Sequence, residues 1–203
     1  ARMYKLAPLV SGRFHRVLSH QASLVARLRN GCLVPHGGTM IRTAVDPTAP
    51  RSMRLGLIAS RKASTEGHRM RHRIADWARS AAPDIALLGR GYRPIGCKSE
   101  GHLPFMYSVV IENGSYPGYF TEKLVDCLLC GSVPIYWGDP EFARHFDPAG
   151  IVFCRDEADI RRAVLAADAA GFASRLEARI ANARRATRFA DPARLAAEAL
   201  TPC

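Results

Sequence analysis

Residues 105–138 read FMYSVVIENGSYPGYFTEKLVDCLLCGSVPIYWG and predict one β-loop-α-β unit. Residues 105–111 form an apolar run of strand length, and a loop broken by Gly and Pro follows. Thr121 stands where a helix N-cap is expected, Gly131 ends that helix, and residues 133–137 form a second apolar run. This order indicates a parallel crossover, and ligands of such sheets bind beyond the carboxyl ends of the strands.

The polar side chains of this unit gather near the start of the predicted helix. Lys123 falls in the first turn, where the helix dipole disfavours a cation, and this suggests an anionic partner. Glu122 can accept hydrogen bonds from sugar hydroxyls, while Tyr119 and Asn113 add an aromatic face and an amide. Together they fit a phosphorylated, hydroxyl-rich ligand such as a sugar nucleotide. The alternative is a capped helix in which Lys123 is solvated and Glu122 serves only the cap.

The same residues resemble the signature of the family 10 glycosyltransferases, the α1,3/4-fucosyltransferases. The IYWG ending is most similar to the bacterial members of that family. The pattern departs at Gly114, where the family usually has Ser, and at Phe120, where it usually has Val. The positions that carry the resemblance are Glu112, Asn113, Tyr119, Thr121, Glu122, Lys123 and residues 131–138.

The resemblance implies an α/β fold with a Rossmann-like parallel sheet flanked by helices, as in the C-terminal domain of a GT-B glycosyltransferase. Residues 1–52 would then be the tail of an N-terminal acceptor domain plus a linker, and residues 53–203 the domain that binds GDP-fucose. The implied reaction transfers fucose from GDP-fucose to a hydroxyl of a glycan acceptor, with inversion. No metal and no other cofactor is expected, because cationic side chains can neutralise the leaving diphosphate.

The resemblance also implies roles for five donor-binding residues. Arg71 and Lys123 would contact the diphosphate, with help from Tyr119. Arginine suits this role because its planar fork binds phosphate oxygens in pairs. Glu122 would accept hydrogen bonds from ribose or fucose hydroxyls, and Asn113 would orient the donor.

Four further residues remain candidates for the same site. Arg69 or Arg73 would replace Arg71 if the alignment slips by two residues, and Glu112 and Thr121 belong to the motif itself. A solvated basic helix is the alternative interpretation of each arginine.

No catalytic residue can be assigned from this sequence. A general base must lie within hydrogen-bond reach of the acceptor, and the base of this family is taken to be a Glu of the N-terminal domain. The only carboxylate before Glu66 is Asp46, in a proline-rich segment. We therefore expect this chain to be mainly the donor-binding part and to be inactive by itself.

The charge is unevenly distributed along the 203 residues, whose net charge is +11. Residues 1–93 hold 17 Lys and Arg against 4 Asp and Glu, whereas residues 94–203 hold 12 against 14. A basic half can serve phosphorylated ligands, an anionic membrane surface or nucleic acid. We expect no nucleic-acid partner because no such motif is present. No apolar run approaches the roughly 20 residues of a membrane span, and no leader is evident, so a cytoplasmic protein with peripheral membrane contact is expected.

Neither the cysteines nor the histidines predict a metal site. Cys127 and Cys130 have CxxC spacing but lie in the predicted helix without a second pair, which favours buried thiols. His68 and His72 are four residues apart, yet no HExxH pattern is present and arginines surround them. Reduced thiols are expected at all six cysteines: Cys32, Cys97, Cys127, Cys130, Cys154 and Cys203.

Outside the central unit, alternating strands and helices predict a parallel α/β sheet. Three functions stay open: a fucosyltransferase or its donor-binding part, a transferase of the same fold that uses another nucleotide sugar, and a non-catalytic module that binds a nucleotide sugar or a polyanion. The other predicted helices span residues 17–28, 67–80, 139–146, 156–167 and 172–189 with a short one from 191, and the other strands span 33–34, 55–59, 84–88 and 151–153.

Overall fold

A computed structural model describes residues 2–200, with the side chains of residues 5–200, and these contain seven strands and eight α-helices. The strands are β1 (Val17–Ser19), β2 (Gly31–Leu33), β3 (Met53–Ile58), β4 (Ile85–Leu88), β5 (Phe105–Ile111), β6 (Val133–Trp137) and β7 (Val152–Phe153). The helices are α1 (Arg2–Val10), α2 (Ala22–Val25), α3 (Glu66–Ala81), α4 (Glu122–Leu129), α5 (Glu157–Ala166), α6 (Ala169–Ala173), α7 (Leu176–Phe189) and α8 (Pro192–Leu200). Short 3-10 helices span Ser11–Arg13, Ser99–Gly101, Phe142–Arg144 and Pro148–Gly150.

Strands β3 to β7 form one parallel sheet in the order β4-β3-β5-β6-β7. Its central strand is β5, where Val109 is in register with Leu57 of β3 and Ile135 of β6. The order changes direction between β3 and β5, which is where ligands bind in open α/β sheets. The predicted fold class, a parallel α/β sheet flanked by helices, is confirmed.

Both faces of the sheet are buried, as the continuous apolar runs predict. On one face, Ile74 of α3 and Ile160 of α5 pack against β-strand residues such as Leu57. On the other face, Leu124 of α4 and Phe189 of α7 belong to a second cluster. All five of these side chains are at most 5% exposed, so the sheet has an apolar core on each side.

The central unit agrees with its prediction at nearly every boundary. Strands β5 and β6 begin and end at the predicted residues, and Thr121 caps α4 by accepting a hydrogen bond from the Lys123 amide. Gly131 follows the helix with a φ of +68°. A side chain there would also meet the carbonyl oxygen of Pro47, 2.2 Å from the position of its Cβ atom. Both constraints explain why glycine ends this helix.

Three predicted helices are wrong in extent. Residues 17–28 form β1, a turn and the short α2, because residues 17–19 pair with β2 far along the chain. Residues 139–146 contain only a single 3-10 turn, since the Asp139 carboxylate accepts from the amides of Gly118 and Glu141. The predicted helix 172–189 is interrupted at Arg175, whose ψ of 10° separates α6 from α7.

No helix within residues 2–200 combines the length and apolarity needed to cross a membrane. Five cysteines are free thiols, and Cys127 and Cys130 are buried as predicted. Burial raises the pKa of Cys130 to about 12. The prediction for Cys203 lies outside the described residues, as do residues 1, 201 and 202.

Candidate functional site

A cavity of about 900 Å³ lies at the carboxyl ends of β3, β4 and β5. Ser60 follows β3, Arg90 follows β4 and Asn113 follows β5, and all three line it. The first turn of α4 and residues 40–43 complete the wall. Because parallel strands end at one edge of the sheet, residues far apart in sequence meet there.

Four of the five principal predicted donor-binding residues line this cavity: Arg71, Asn113, Glu122 and Lys123. Arg71 reaches it from α3, and Lys123 reaches it from the first turn of α4. The structure therefore places on one cavity the two cations that the resemblance assigns to one diphosphate. Their role as ligand contacts stays a prediction.

Arg71 is buried and holds the end of β5 in place. Its Nε and Nη2 atoms donate to the Ile111 carbonyl oxygen at 2.9 and 2.7 Å, and Nη2 also donates to Asn113 Oδ1 at 2.9 Å. Burial lowers the pKa of Arg71, although the carboxylates of Glu112 and Glu122 oppose that shift. Much of this fork is thus structural, because both Nε and Nη2 are bonded to the end of β5 and the loop that follows it.

Lys123 stands between two carboxylates at the start of α4. Its Nζ atom lies 3.0 Å from Glu122 Oε1, 3.5 Å from Glu112 Oε2 and 3.0 Å from Thr121 Oγ1. Burial alone would raise the pKa of Glu122, but the Lys123 ammonium and the hydrogen bonds that Glu122 accepts outweigh it and lower that pKa. Lys123 is therefore paired with carboxylates inside the chain, at a side-chain exposure of 26%, and its contact with a ligand stays a prediction.

Glu112 and Thr121 do not line the cavity but bond to each other next to Lys123. Glu112 is fully buried and accepts from the Thr121 amide at 2.8 Å and from the Thr121 hydroxyl at 2.7 Å. Burial raises the pKa of Glu112, and the ammonium of Lys123 opposes this. The pair fixes the loop after β5 to the start of α4, and thereby fixes Lys123.

Arg69 and Arg73 lie on α3 outside the cavity. Arg69 is exposed and donates to the Ala63 carbonyl oxygen at 3.3 Å. Arg73 pairs with Glu157 at 2.6 Å. Of the three arginines considered, Arg71 is the one that the structure places on the cavity wall.

Tyr119 lies at a neighbouring cavity of about 470 Å³, together with aromatic rings from the N-terminal part of the chain. Its ring stacks on Tyr116 with centroids 4.5 Å apart, and the rings of His20 and His36 lie 5.4 and 5.9 Å from it. Burial lowers the pKa of His20, and the His36 charge lowers it further. The predicted help of Tyr119 to the diphosphate stays a prediction, since Tyr119 lines a different cavity from Lys123.

Two charged residues of the cavity wall that are at least partly buried were not predicted from the sequence, Asp126 and Lys98. Asp126 accepts from Thr39 Oγ1 at 2.6 Å and from the Met40 amide at 2.9 Å, which ties the N-terminal part of the chain to α4. Its position four residues after Glu122, on the same helix face, was the available signal. Lys98 also lines the cavity, and the only signal for it was a basic loop before β5.

The cavity is lined by six cationic side chains and two carboxylates, so it favours an anionic ligand. The described residues contain no group of three His, Cys, Asp or Glu side chains arranged to hold a metal ion. The expectation that no metal is required stays a prediction. The cations are Arg42, Lys62, Arg71, Arg90, Lys98 and Lys123, and the carboxylates are Glu122 and Asp126.

Two curated proteins show sequence similarity to this chain. An α-(1,3)-fucosyltransferase of Helicobacter pylori is 36% identical over 59 residues, which are 29% of this chain and 12% of that protein. A putative fucosyltransferase of Acanthamoeba polyphaga mimivirus is 35% identical over 52 residues, which are 26% of this chain and 9% of that protein. The resemblance to α1,3-fucosyltransferases is confirmed. No family model matches the chain.

Solved structures of an α1,3-fucosyltransferase have the same fold as part of this chain. The structure with GDP superposes with a TM-score of 0.51 at 23% identity, over 64% of this chain and 39% of that one. The structure described without a ligand gives a TM-score of 0.50 over 64% and 38% of the two chains. The matches thus span about a tenth of the curated relatives and less than half of the solved enzyme.

Proposed function

We propose that this chain binds GDP-fucose in the cavity at the carboxyl ends of β3, β4 and β5, as the donor-binding part of an inverting fucosyltransferase. The reaction would pass fucose to a hydroxyl of a glycan acceptor. The division at residue 52, into the tail of an acceptor domain and a donor-binding domain, is part of this proposal. The names of the two curated relatives support fucose as the sugar.

One observation carries the proposal: Arg71 and Lys123, from different helices, line a single cavity at the edge of the sheet where nucleotides bind. Positive charge beside a leaving diphosphate stabilises the charge that develops as the sugar departs. Lys123 can exchange its contact with Glu122 for a phosphate oxygen, and Glu122 would then be released to accept from a sugar or ribose hydroxyl. Glu112 and Glu122 would thus fix the position of the Lys123 ammonium before the donor binds.

The carboxylates of the cavity are poor candidates for the general base. Asp126 Oδ1 accepts from Thr39 and Met40, and Glu122 Oε1 pairs with Lys123. These contacts direct both carboxylates toward neighbours in the cavity wall, whereas a general base must reach the acceptor hydroxyl. We therefore propose that the base is supplied from outside this cavity, and that the chain by itself binds the donor without transferring the sugar.

Calorimetric titration tests the donor. We expect GDP-fucose to bind more tightly than GDP-mannose and UDP-sugars, and GDP to compete with it. Replacing Lys123 by Ala should weaken GDP binding by about 1.5–3 kcal/mol, which is the usual loss for a hydrogen bond to a charged group. Lys5→Ala is the matched control, because Lys5 is exposed on α1 and does not line the cavity.

Two outcomes would replace this function by an alternative. A preference for a uridine donor would indicate a transferase of the same fold with another nucleotide sugar. Salt-dependent binding to DNA or RNA that GDP does not compete with would indicate a polyanion-binding module.

A further inference from the structure

The cationic side chains of the cavity differ in whether they already have hydrogen-bond or ion-pair partners within the chain. Arg71 donates to Ile111 and Asn113, and Lys123 contacts Glu112 and Glu122. Among the residues that the structure describes, none forms a hydrogen bond or an ion pair with the Lys98 ammonium; Asp126 and Glu122 act on it only from a greater distance. An ammonium in no direct contact with a carboxylate gains more from an incoming anion than one that must first release a carboxylate.

Lys98 also differs from the remaining cations in its exposure. Arg42, Lys62 and Arg90 are exposed to solvent, whereas Lys98 is partly buried in the cavity wall. Burial lowers the pKa of Lys98, while the carboxylates of Asp126 and Glu122 oppose that shift and the cations Lys123 and Arg71 add to it. A partly buried charge is less screened by water and salt, so its interaction with a bound anion is stronger than at the surface.

The backbone at Lys98 is held in a fixed position. Lys98 begins the 3-10 helix Ser99–Gly101, and its carbonyl oxygen accepts from the Gly101 amide at 3.0 Å. His102, which follows this 3-10 helix, is 5% exposed, and its Nδ1 atom is hydrogen-bonded to Ser108 Oγ of β5 at 3.0 Å. This anchors the turn to β5, so that Lys98 reaches the cavity from a rigid support.

Glu100, the acidic residue nearest to Lys98 in the sequence, bonds to other residues of the loop instead of to the Lys98 ammonium. Glu100 accepts from the Gly96 amide at 3.0 Å and from Cys97 Sγ at 3.3 Å. These contacts close the loop before the turn and occupy both carboxylate oxygens. The loop thus stabilises itself without neutralising Lys98.

We propose that Lys98 is an anion-binding residue of the cavity that donates to a phosphate oxygen of the ligand. This inference rests on the proposed function, because it makes Lys98 a contact to the diphosphate of the bound nucleotide. Lys98 and Lys123 belong to different parts of the cavity wall, the turn before β5 and the start of α4. They would hold the diphosphate between them, with Arg71 serving mainly to fix the end of β5.

Binding measurements with Lys98→Gln test this assignment, with GDP, guanosine and inorganic pyrophosphate as probes. We expect a loss of about tenfold or more in affinity for GDP and pyrophosphate, the range of a charge-assisted hydrogen bond, and an unchanged affinity for guanosine. Lys98→Arg should retain most of the GDP affinity because it keeps the charge. Lys5→Gln, on exposed α1, should bind all three probes as the wild type does.

The outcomes separate this inference from the proposed function. Equal GDP affinity of Lys98→Gln and the wild type would overturn the role of Lys98, and so would an equal loss for guanosine, which indicates structural damage. A Lys98-dependent affinity for pyrophosphate without preference for GDP-fucose would keep the anion contact and reject the fucose donor. If the wild type binds neither GDP nor pyrophosphate, both proposals fail.

Discussion

The central β5–α4–β6 unit and the N-terminal residues 5–52 are built in opposite ways. In the central unit, five of the eight residues of α4 and every residue of β5 and β6 except Met106 are buried, and both carboxylate oxygens of the buried Glu112 accept hydrogen bonds. In the N-terminal part, Leu24 and Leu28 are the buried large apolar residues, while Leu9 and Phe14 are 80% and 58% exposed.

The difference shows how the cavity is divided between stable and adaptable parts. The wall from β5 and α4 belongs to a unit that is packed on both faces of a parallel sheet. The wall from residues 40–43 is tied to it by few contacts, of which those of Asp126 are the clearest. We therefore expect changes in the central unit to reduce the free energy of unfolding strongly, and changes in the N-terminal part to act locally.

The largest effect is expected from Gly67→Ala, where α3 crosses the end of β5. A Cβ atom at Gly67 would lie 1.6 Å from the Glu112 carbonyl oxygen, so backbone would have to move. We expect a loss of about 3 kcal/mol, at the upper end for an overpacked core, measured by urea denaturation. Gly12→Ala is the control, because nothing lies within 4 Å of its added atom. Equal stability of both variants would contradict the account of this contact.

A smaller but still large effect is expected from Arg71→Ala. The change removes the donors for the Ile111 carbonyl oxygen and for Asn113 Oδ1 and leaves a void in a buried region. We expect a loss of about 2–3 kcal/mol in the same denaturation experiment, together with weaker GDP binding. Arg69→Ala, on the exposed side of the same helix, should change stability by less than about 0.5 kcal/mol.

Asp126→Ala tests the tie between the two parts of the molecule. The change leaves the Met40 amide and the Thr39 hydroxyl without their acceptor. We expect a loss of about 1–2 kcal/mol in stability and faster amide hydrogen exchange at Met40, with little change in β5. Asp76→Ala on the exposed face of α3 is the control. Faster exchange throughout the sheet would show that the tie supports the core as well.

The smallest effect is expected from Leu9→Ser. Leu9 is 80% exposed on α1, so polar replacement removes little buried apolar surface. We expect the thermal midpoint to stay unchanged, corresponding to less than about 0.5 kcal/mol. A clear drop in the midpoint would place Leu9 in a contact with another part of the chain and would weaken the contrast between the two regions.

The sequence predicts the central unit well because its signals are local. An apolar run of strand length, the Thr121 cap and Gly131 each act on their immediate neighbours, and the structure has each element where they place it. Residues 17–28 were predicted wrongly because β1 depends on pairing with β2, a contact that no local pattern shows.

The candidate site was predicted only in part. The resemblance to the fucosyltransferases indicated Arg71 and Lys123, and the sheet edge explains why they lie on one cavity. The sequence did not reveal that two nitrogens of Arg71 donate hydrogen bonds to the carbonyl oxygen at the end of β5, because those bonds depend on how α3 crosses the strand. Lys98 was not predicted because its place in the cavity wall, where its ammonium has no direct contact with a carboxylate of the described residues, depends on the folded chain.

The most direct test of the account is a crystal structure of this chain with GDP. We predict that the diphosphate lies in the cavity at the carboxyl ends of β3, β4 and β5, with Lys123 Nζ within hydrogen-bond distance of a phosphate oxygen. A nucleotide bound in the aromatic cavity of His20 and Tyr119, or elsewhere with Lys123 still paired to Glu122, would contradict it.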